Sequence, residues 1–436
     1  MTAVFALVAL LPGSLLTPGQ ARAESGAAVP SRLYVPWTWQ ATVAQSPPGA
    51  ASVLISGAGG LRGNDLIDHE GKVAVVGRDG SYRMLLYGGA ETVAGEQVQL
   101  SPDGRYVAQP GWGDGAAVEV VDLETGKVRT YRGGLSGETW GEPVAWSPDG
   151  RRLVALHTTS DPVHVGDDGE ERKPGVVVLI DLRSGKATTL AEVSNVFQVR
   201  TASLAAFSPD SRRVALNLDG QLRLLDTEGD AIWSVEVGPR QHLAGIGAFT
   251  PDGGRITVVT LDGCVARCDS TQLATRRWSF GYRDAATGEE TDGPRLAPVR
   301  AMAVRALGWR EGRDVVAVTY RPADRPDKTL GTWMDTDYWQ TDGVSLVALG
   351  SGEPKVLVEL PDEVLAVDVA RDLVEEGKFG GPSPRPAAWP ARPDIVAILA
   401  VPVLLVVVPL GLVAFWLVRR WRRRVHAANS AANSQV

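Results

Sequence analysis

Cysteine, histidine and methionine are scarce in this chain. Its 436 residues include two Cys, five His and four Met. Two thiols do not complete a structural zinc site, and no His lies near them. Their spacing, Cys264 and Cys268, is not the C-x-x-C of a redox pair. The five His (His69, His157, His164, His242 and His426) stand in no recognisable local arrangement with Ser or Cys. No G-x-S-x-G, H-E-x-x-H or G-x-x-x-x-G-K-[ST] occurs. These absences remove the enzyme classes that a local motif would betray. A constellation assembled from distant segments stays open. The expectation is a protein without catalytic residues, metal or cofactor. "DTDYWQTDG" from Asp335 resembles half of a calcium loop. It lacks the central Gly and the terminal Glu that such a loop requires.

Excess positive charge is missing too. The formal net charge is −7, which leaves no electrostatic footprint for nucleic acid. The one dense basic run, "RRWRRR" from Arg419, has another explanation. It follows "IVAILAVPVLLVVVPLGLVAFWLV", an uncharged run over residues 395–418. At about 1.5 Å per residue that helix reaches roughly 36 Å, enough to cross a hydrocarbon core of about 30 Å. Pro402 and Pro409 are tolerated in membrane helices. Basic residues beside a span mark its cytoplasmic side, so Arg419, Arg420, Arg422, Arg423 and Arg424 are expected to flank the membrane from within. The tail to residue 436 is polar and repetitive.

A second apolar run opens the chain. "ALVALLPGSLLTPGQARAES" ends in a small-x-small site, and "ARA" before Glu24 suits signal-peptide cleavage after residue 23. No Lys or Arg precedes the run, which departs from the usual pattern. Pro12 and Gly13 argue against a buried helix there. Both ends place the intervening chain outside the membrane, as a single-pass type I protein with a cytoplasmic tail. Residues 377–393, "GKFGGPSPRPAAWPARP", read as a Pro-rich semi-rigid linker.

Between the ends a phrase repeats: "VQLSPDGRYVAQ", "VAWSPDGRRLVAL", "AAFSPDSRRVAL" and "GAFTPDGGRITVV". Each is an apolar run, a turn and a second apolar run. Ser or Thr bonds the backbone ahead of it, Pro presets the first corner, and Gly accepts the left-handed conformation. Asp103, Asp149, Asp210 and Asp252 are therefore turn residues rather than reacting acids. A second hairpin follows each, with turns such as "DLETGK" at 122 and "DLRSGK" at 181, and Gly126, Gly185 and Gly229 supply positive φ. Two hairpins in series make a four-stranded antiparallel unit.

On these "SPDG" and "D-L-x-[ST]-G-K" turns the chain resembles the TolB-type and WD-repeat-like β-propellers, over some 300 residues. The resemblance implies an all-β propeller over residues 31–372, plus one C-terminal transmembrane α-helix. Weaker copies from Leu66 and Leu307 bring the candidate blades to six. A lone inner strand near 363, completed by "SRLYVPWTWQATV" and "ASVLISGAG", would make a seventh. Seven blades are expected, with six as the alternative.

The two classes of turn lie on one side of such a ring. The longer connections lie on the other: "QPGWGDGAA" at 109, "HTTSDPVHVGDDGEERKPG" at 157, "RPADRPDKTLGTWMDTDYWQTDG" at 321, "YRGGLSGETWGEP" and "GYRDAATGEETDGPRLAPVR". Function concentrates on such loops. The candidate binding residues are Trp112, Trp140, Trp333, Asp335, Asp337, Tyr338 and Trp339, with Asp167 and Asp168 nearby. Packing beneath their own loops is the alternative for these aromatics. Cys264 and Cys268, in one extended strand, would stand roughly 13 Å apart, too far to bond. They pair only if "LDGCVARCDS" is a loop or bulge, and an oxidising compartment favours a disulfide. The expected function is an extracytoplasmic propeller, tethered to the membrane, that binds a protein or envelope ligand. The alternatives are an exported hydrolase or lyase with a site at the axis, and a tail-anchored cytosolic scaffold.

Overall fold

The repeated turn is built the same way four times. In a computed structural model of the chain, Ser101 Oγ donates to Asp103 Oδ1 (2.7 Å), which also accepts from the backbone N–H of Arg105 (3.1 Å). The same pair of bonds recurs at Ser147–Asp149–Arg151, Ser208–Asp210–Arg212 and Thr250–Asp252–Gly254. The fourth turn residue has φ of 71° at Gly104, 68° at Gly150 and 68° at Gly253, and Ser211 takes 60° in the third copy. The Asp side chains are consumed by the turn, as their residue type predicts.

The structure describes residues 27–37, 39–57, 71–87, 93–159, 164–165, 171–196, 204–329, 336 and 338–433. The expected signal peptide lies outside them. After β1 (Val29–Pro30), strands β2 (Ala51–Ser56), β3 (Gly71–Gly77) and β4 (Tyr82–Tyr87) form a meander. Blade two is β5 (Gln99–Leu100), β6 (Tyr106–Asp114), β7 (Ala116–Asp122) and β8 (Val128–Arg132). Blade three is β9 (Glu138–Trp146), β10 (Arg152–Thr159), β13 (Gly175–Asp181) and β14 (Ala187–Val193), with a small hairpin β11 (His164–Val165) and β12 (Glu171–Arg172) between its middle strands. Blade four is β15 (Ala205–Phe207), β16 (Arg213–Leu218), β17 (Gln221–Asp226) and β18 (Ala231–Glu236). Blade five is β19 (Gln241–Leu243), β20 (Arg255–Asp262), β21 (Arg277–Asp284) and an outer edge split into β22 (Glu290–Thr291) and β23 (Val299–Arg300). The short helix α1 (Ser270–Ala274) joins β20 to β21. Blade six is β24 (Ala303–Arg310), β25 (Asp314–Pro322), β26 (Thr341–Leu349) and β27 (Lys355–Val358). Then β28 (Ala366–Val369) pairs antiparallel with β2 and becomes the inner strand of blade one. Helix α2 (Arg371–Glu375), β29 (Phe379–Gly381) and helix α3 (Pro393–Asn433) complete the chain.

Six four-stranded units are thus present among the described residues, and a seventh is not. The strands expected near 66 and near 363 belong to one blade, not two. The sequence near 78, "RDG", is the outer turn of that blade. "ASVLIS" supplies its second strand, whereas residues 31–33 bond Glu359 beside the outer strand of blade six and residues 41–43 run along the outer edge of blade one, where Val43 N donates to Met84 O (2.9 Å). "EVLAVDVARDLV" contains only the four-residue β28 before turning into α2. Closing a ring with strands from both chain ends leaves fewer open sheet edges.

Burial grades outward. All six residues of β2 and all four of β28 are buried, while β8 and β18 alternate or face solvent. Inner strands meet neighbouring blades on both faces, so they are continuous apolar runs. At the centre the strands come close. Ala306 N donates to Ala244 O (2.8 Å) and Gly247 N to Ala306 O (3.0 Å). A Cβ on Gly247 would fall 2.3 Å from Gly308 N, so only glycine permits this approach. Ile246 packs against the core shared by blades one, two and six and against the core between blades three and four, which puts an apolar side chain across the axis.

Arginines at the turns tie one blade to the next. Arg78 Nη2 donates to Asp103 O (2.8 Å), Arg152 Nη1 to Ser211 O (3.1 Å) and Arg213 Nη2 to Gly253 O (3.2 Å). One expected connection on the opposite side is displaced by this pattern. In "GYRDAATGEETDGPRLAPVR", Asp284 Oδ1 accepts from Ala286 N (2.8 Å) and Thr287 N (3.0 Å). It is the outer turn of blade five, on the same side as the "TGK" turns. "QPGWGDGAA" is likewise mostly strand, the extended hairpin of β6 and β7.

Helix α3 carries an exposed segment, Val396–Arg423, whose most apolar 18 residues have mean hydropathy 2.9. Its length and composition make it a candidate membrane span.

Gly150 tests the turn account. Nothing lies within 4 Å of a Cβ placed there, so a side chain costs backbone strain alone. Gly150→Val is expected to destabilise by about 1–2 kcal/mol, the cost of left-handed backbone for a residue with Cβ. Asp149→Asn keeps an acceptor oxygen and is expected to cost under about 1 kcal/mol. Denaturant midpoints of the two variants check this order, and equal losses would contradict it.

Candidate functional site

The side of the ring opposite the turns is organised by the connection between blades one and two. Residues 93–98 run beneath it in "VAGEQV". Glu96 is 1% exposed. Its Oε1 accepts from Tyr320 Oη (3.1 Å) and its Oε2 from Thr336 Oγ1 (2.9 Å). Thr336 stands two residues before a 3-10 turn, Tyr338–Gln340. That turn exposes Trp339, whose surface is 64% accessible. The buried Gln340 staples the same loop, since its Oε1 accepts from Asp327 N (3.0 Å) and its Nε2 donates to Asp327 O (3.2 Å). Two bonds from Thr329, its N–H and its hydroxyl, hold the Asp327 carboxyl below the usual range.

The adjacent residue, Gln97, reaches the other expected cluster. Gln97 Nε2 donates to Glu142 Oε1 (3.3 Å), which accepts also from Trp140 Nε1 (3.1 Å). Trp140 stands opposite Trp112 in register, because the ends of β6 and β9 pair and merge blades two and three into one sheet. Thr139 Oγ1 seals that junction, contacting the Gly113 and Ala116 carbonyls at 2.9 Å each. Residues 93–98 therefore link the Trp112–Trp140 pair to the loop bearing Trp339. Trp333, Asp335, Asp337, Asp167 and Asp168 lie outside the described residues. Of Tyr338 only the backbone turn is described.

Below this surface sits a buried charged group that the sequence reading missed. Arg305 on β24 and Asp368 on β28 are each 1% exposed. Arg305 Nη1 lies 3.7 Å from Asp368 Oδ1, while Arg305 Nη2 donates to Val367 O (2.6 Å) and Nε to Tyr320 Oη (3.2 Å). Asp368 Oδ2 accepts from Leu100 N (2.9 Å). Burial opposes the Arg305 charge, yet Tyr320, Asp368 and Glu96 outweigh it and raise its pKa. Burial raises the Asp368 carboxyl and the Tyr320 hydroxyl. These groups bond one another across blades six, one and two. The arrangement is a clamp: Arg305 Nη1 and Asp368 Oδ1 face each other as charges without a hydrogen bond, and the other polar atoms are committed to backbone and to each other. A polar "EQ" within the run "VAGEQVQL" was the only sequence signal for Glu96.

The cysteine segment belongs to the same side. Residues 263–276 loop between β20 and β21, and Cys264 and Cys268 are bonded, with Cα atoms 6.0 Å apart. Arg276, fully buried, donates to Cys264 O (2.7 Å) and Val265 O (2.9 Å). Burial pushes the His157 and His242 imidazoles below their usual range. Among the described residues no group of three or more His, Cys, Asp or Glu is placed to hold a metal.

No protein-family model matches the sequence, and no curated protein matches it. Solved propellers are similar in fold. Oligogalacturonate lyase from Vibrio parahaemolyticus is 12% identical, with TM-score 0.39, over 76% of this chain and 79% of that one. TolB from Acinetobacter baumannii is 11% identical, with TM-score 0.32, over 66% of each chain. TolB from Agrobacterium tumefaciens is 17% identical, with TM-score 0.30, over 51% of this chain and 73% of that one. The propeller-like architecture itself rests on the sheet topology above.

The clamp gives a double-variant test. Arg305→Met leaves Asp368 buried opposite an apolar side chain and is expected to cost about 3–5 kcal/mol. Arg305→Met with Asp368→Asn removes the orphaned charge and is expected to recover a substantial part of that loss. Chemical denaturation of the native protein, Arg305→Met, Asp368→Asn and the double variant reads the coupling. Additive losses would mean that the two groups do not act as a pair.

Proposed function

We propose that this chain is a membrane-tethered, extracytoplasmic propeller that binds a protein or envelope ligand through the side opposite its turns. The observation that carries the reading is the exposed Trp339 on a short, rigid turn anchored through Thr336 to buried Glu96. Aromatic side chains on a rigid mount are common binding anchors. The polar groups that converge on the inner strands, Arg305, Asp368, Tyr320 and Glu96, are buried and engaged with one another, and Ala244, Gly245 and Ile246 lie at the centre beside them, which favours docking over a site at the axis.

Export is supported by three features that do not depend on one another. The N-terminal sequence reads as a signal peptide, the Arg cluster follows the apolar helix, and Cys264 and Cys268 are bonded. Disulfides persist outside the reducing cytosol, which disfavours a tail-anchored cytosolic scaffold. Since both native thiols are bonded, a single introduced Cys is a clean reporter. Lys127→Cys, on an exposed turn, is expected to react with a membrane-impermeant maleimide on intact cells. Labelling that appears only after lysis would reverse the topology.

Binding is tested by in-cell crosslinking of the full-length protein. Replacing Trp333, Tyr338 and Trp339 together by Ala is expected to abolish capture with little change in melting temperature. Lost anchors of this kind cost about 2 kcal/mol or more each. Substitution at Thr125, Lys127 and Lys186, on the turn side, is expected to leave capture intact. The opposite result would move the binding surface to the turns, and unfolding of the aromatic variant would make those residues loop core.

A further inference from the structure

The Pro-rich segment before α3 is bound to the protein along its length, and the way it is bound orients the ring. After β28, α2 packs on the turn side, where Asp372 N donates to Pro102 O (3.0 Å) and Asp372 Oδ2 accepts from Arg78 (2.6 Å). β29 then pairs in parallel with β1. Pro384 covers the outer turn of blade one, so closely that a Cβ on Gly80 would meet its Cγ at 2.2 Å. Further on, Pro390 O accepts from Ala41 N (3.0 Å) and Gln40 Nε2 (3.2 Å), and Arg392 N donates to Trp39 O (2.7 Å). The span candidate begins at Val396. The path from ring to helix therefore starts on the turn side with α2, passes the outer edge of blade six at β1 and β29, and ends against the outer turn and edge of blade one.

This strap gathers tryptophan at the root of the helix. Trp37 and Trp39 stack with ring centroids 4.8 Å apart. Trp37 remains 38% exposed and Trp389, four residues before the helix, 68%. The far end of the helix has its own tryptophans, Trp416 and Trp421, with Arg420 over the Trp416 ring at 5.0 Å. From Val396 to Trp416 the helical rise is about 30 Å, the thickness of a hydrocarbon core. If Trp416 marks one boundary, the opposite boundary falls at the strap. Tryptophan is enriched at both boundaries because its ring is apolar and its N–H polar.

We propose that Trp37, Trp39 and Trp389 form a collar seated in the lipid headgroup region of the membrane that α3 crosses, which holds the turn side toward the bilayer and the Trp339 side away from it. The proposal rests on reading α3 as a span. Its occupant is the lipid interface, and its orientation follows from the strap.

The test is tryptophan quenching by brominated lipid. The full-length protein is reconstituted in phosphatidylglycerol-containing vesicles, with bromine on the acyl carbons nearest the glycerol. Five of the 13 tryptophans are expected to lie near lipid: Trp37, Trp39, Trp389, Trp416 and Trp421. Trp37→Phe with Trp39→Phe and Trp389→Phe is expected to remove roughly half of the lipid-quenchable emission, in line with the interfacial placement of tryptophan. Trp416→Phe with Trp421→Phe is expected to remove the remainder. Trp339→Phe is expected to remove none. Trp389→Phe alone, at the most exposed of the three, is expected to lower quenching by itself, so instability of the triple variant leaves the test standing. If the strap variants leave quenching unchanged while the Trp416 and Trp421 variant abolishes it, the span is real and the collar is wrong. If Trp339 contributes to quenching, the orientation is reversed. If no variant alters quenching, the span reading fails and takes the collar with it.

Discussion

Closure of the ring is fastened by a charge held in the buried core. Arg305 binds the Val367 carbonyl and faces Asp368, while Asp368 takes the Leu100 N–H. Those three contacts fasten the inner strands of blades six, one and two where the last strand of the chain joins the first sheet. A four-residue strand such as β28 offers little area to define its own register. An ion pair inside low dielectric costs much desolvation, but it is directional where apolar packing is not. A slip of one residue would turn Asp368 to the other face of its sheet and leave Arg305 opposite a valine. The same cluster continues through Tyr320 to Glu96 and Thr336. Closure of the ring and the mounting of the Trp339 loop are thus parts of one network, and disturbing the first is felt at the second.

Two further junctions use the repeated turn. Its Asp organises the turn locally in all four copies, and in the second and third copies an Arg, Arg152 and Arg213, also reaches the next turn's backbone carbonyl. The local task accounts for the conspicuous acids without giving them chemistry. Hydrogen bonds from a charged donor contribute roughly 1.5–3 kcal/mol each at best, and less where solvent reaches them. Their value is mainly geometric, since they set the spacing and tilt of one blade against another on the turn side.

What could be read in advance divides by range of interaction. The turns were legible because Ser, Pro, Asp and Gly specify them within four residues. The apolar helix was legible from length alone. Blade membership was harder. "GKVAVVG" and "AVDV" read as parts of different blades because nothing local says that strands 300 residues apart share a sheet. "DAATGE" escaped notice as a turn because Ala stands where other copies have Leu. Arg276 and Arg305 were invisible for a different reason. Charged residues are almost always exposed, so a buried one is recognised only when its partners are seen. The opposition of Trp112 and Trp140 follows from a strand pairing between blades, which period and composition do not encode.

The two sides of the ring differ in how their segments are held. On the turn side the connections are short and uniform, and the strap covers part of them. On the other side, among the described residues, three segments have a buried brace. Thr139 seals the hairpin end of β6 and β7, Arg276 and the disulfide hold residues 263–276, and Thr336 and Gln340 anchor the short turn that bears Trp339. Loops without such braces would have to be ordered by a ligand, at roughly 0.5–1.5 kcal/mol for each immobilised side chain. Braced loops avoid that cost before any ligand arrives. The described braces therefore settle the shape of the segments they hold on the loop side, whereas the strap and the uniform turns cover the other side.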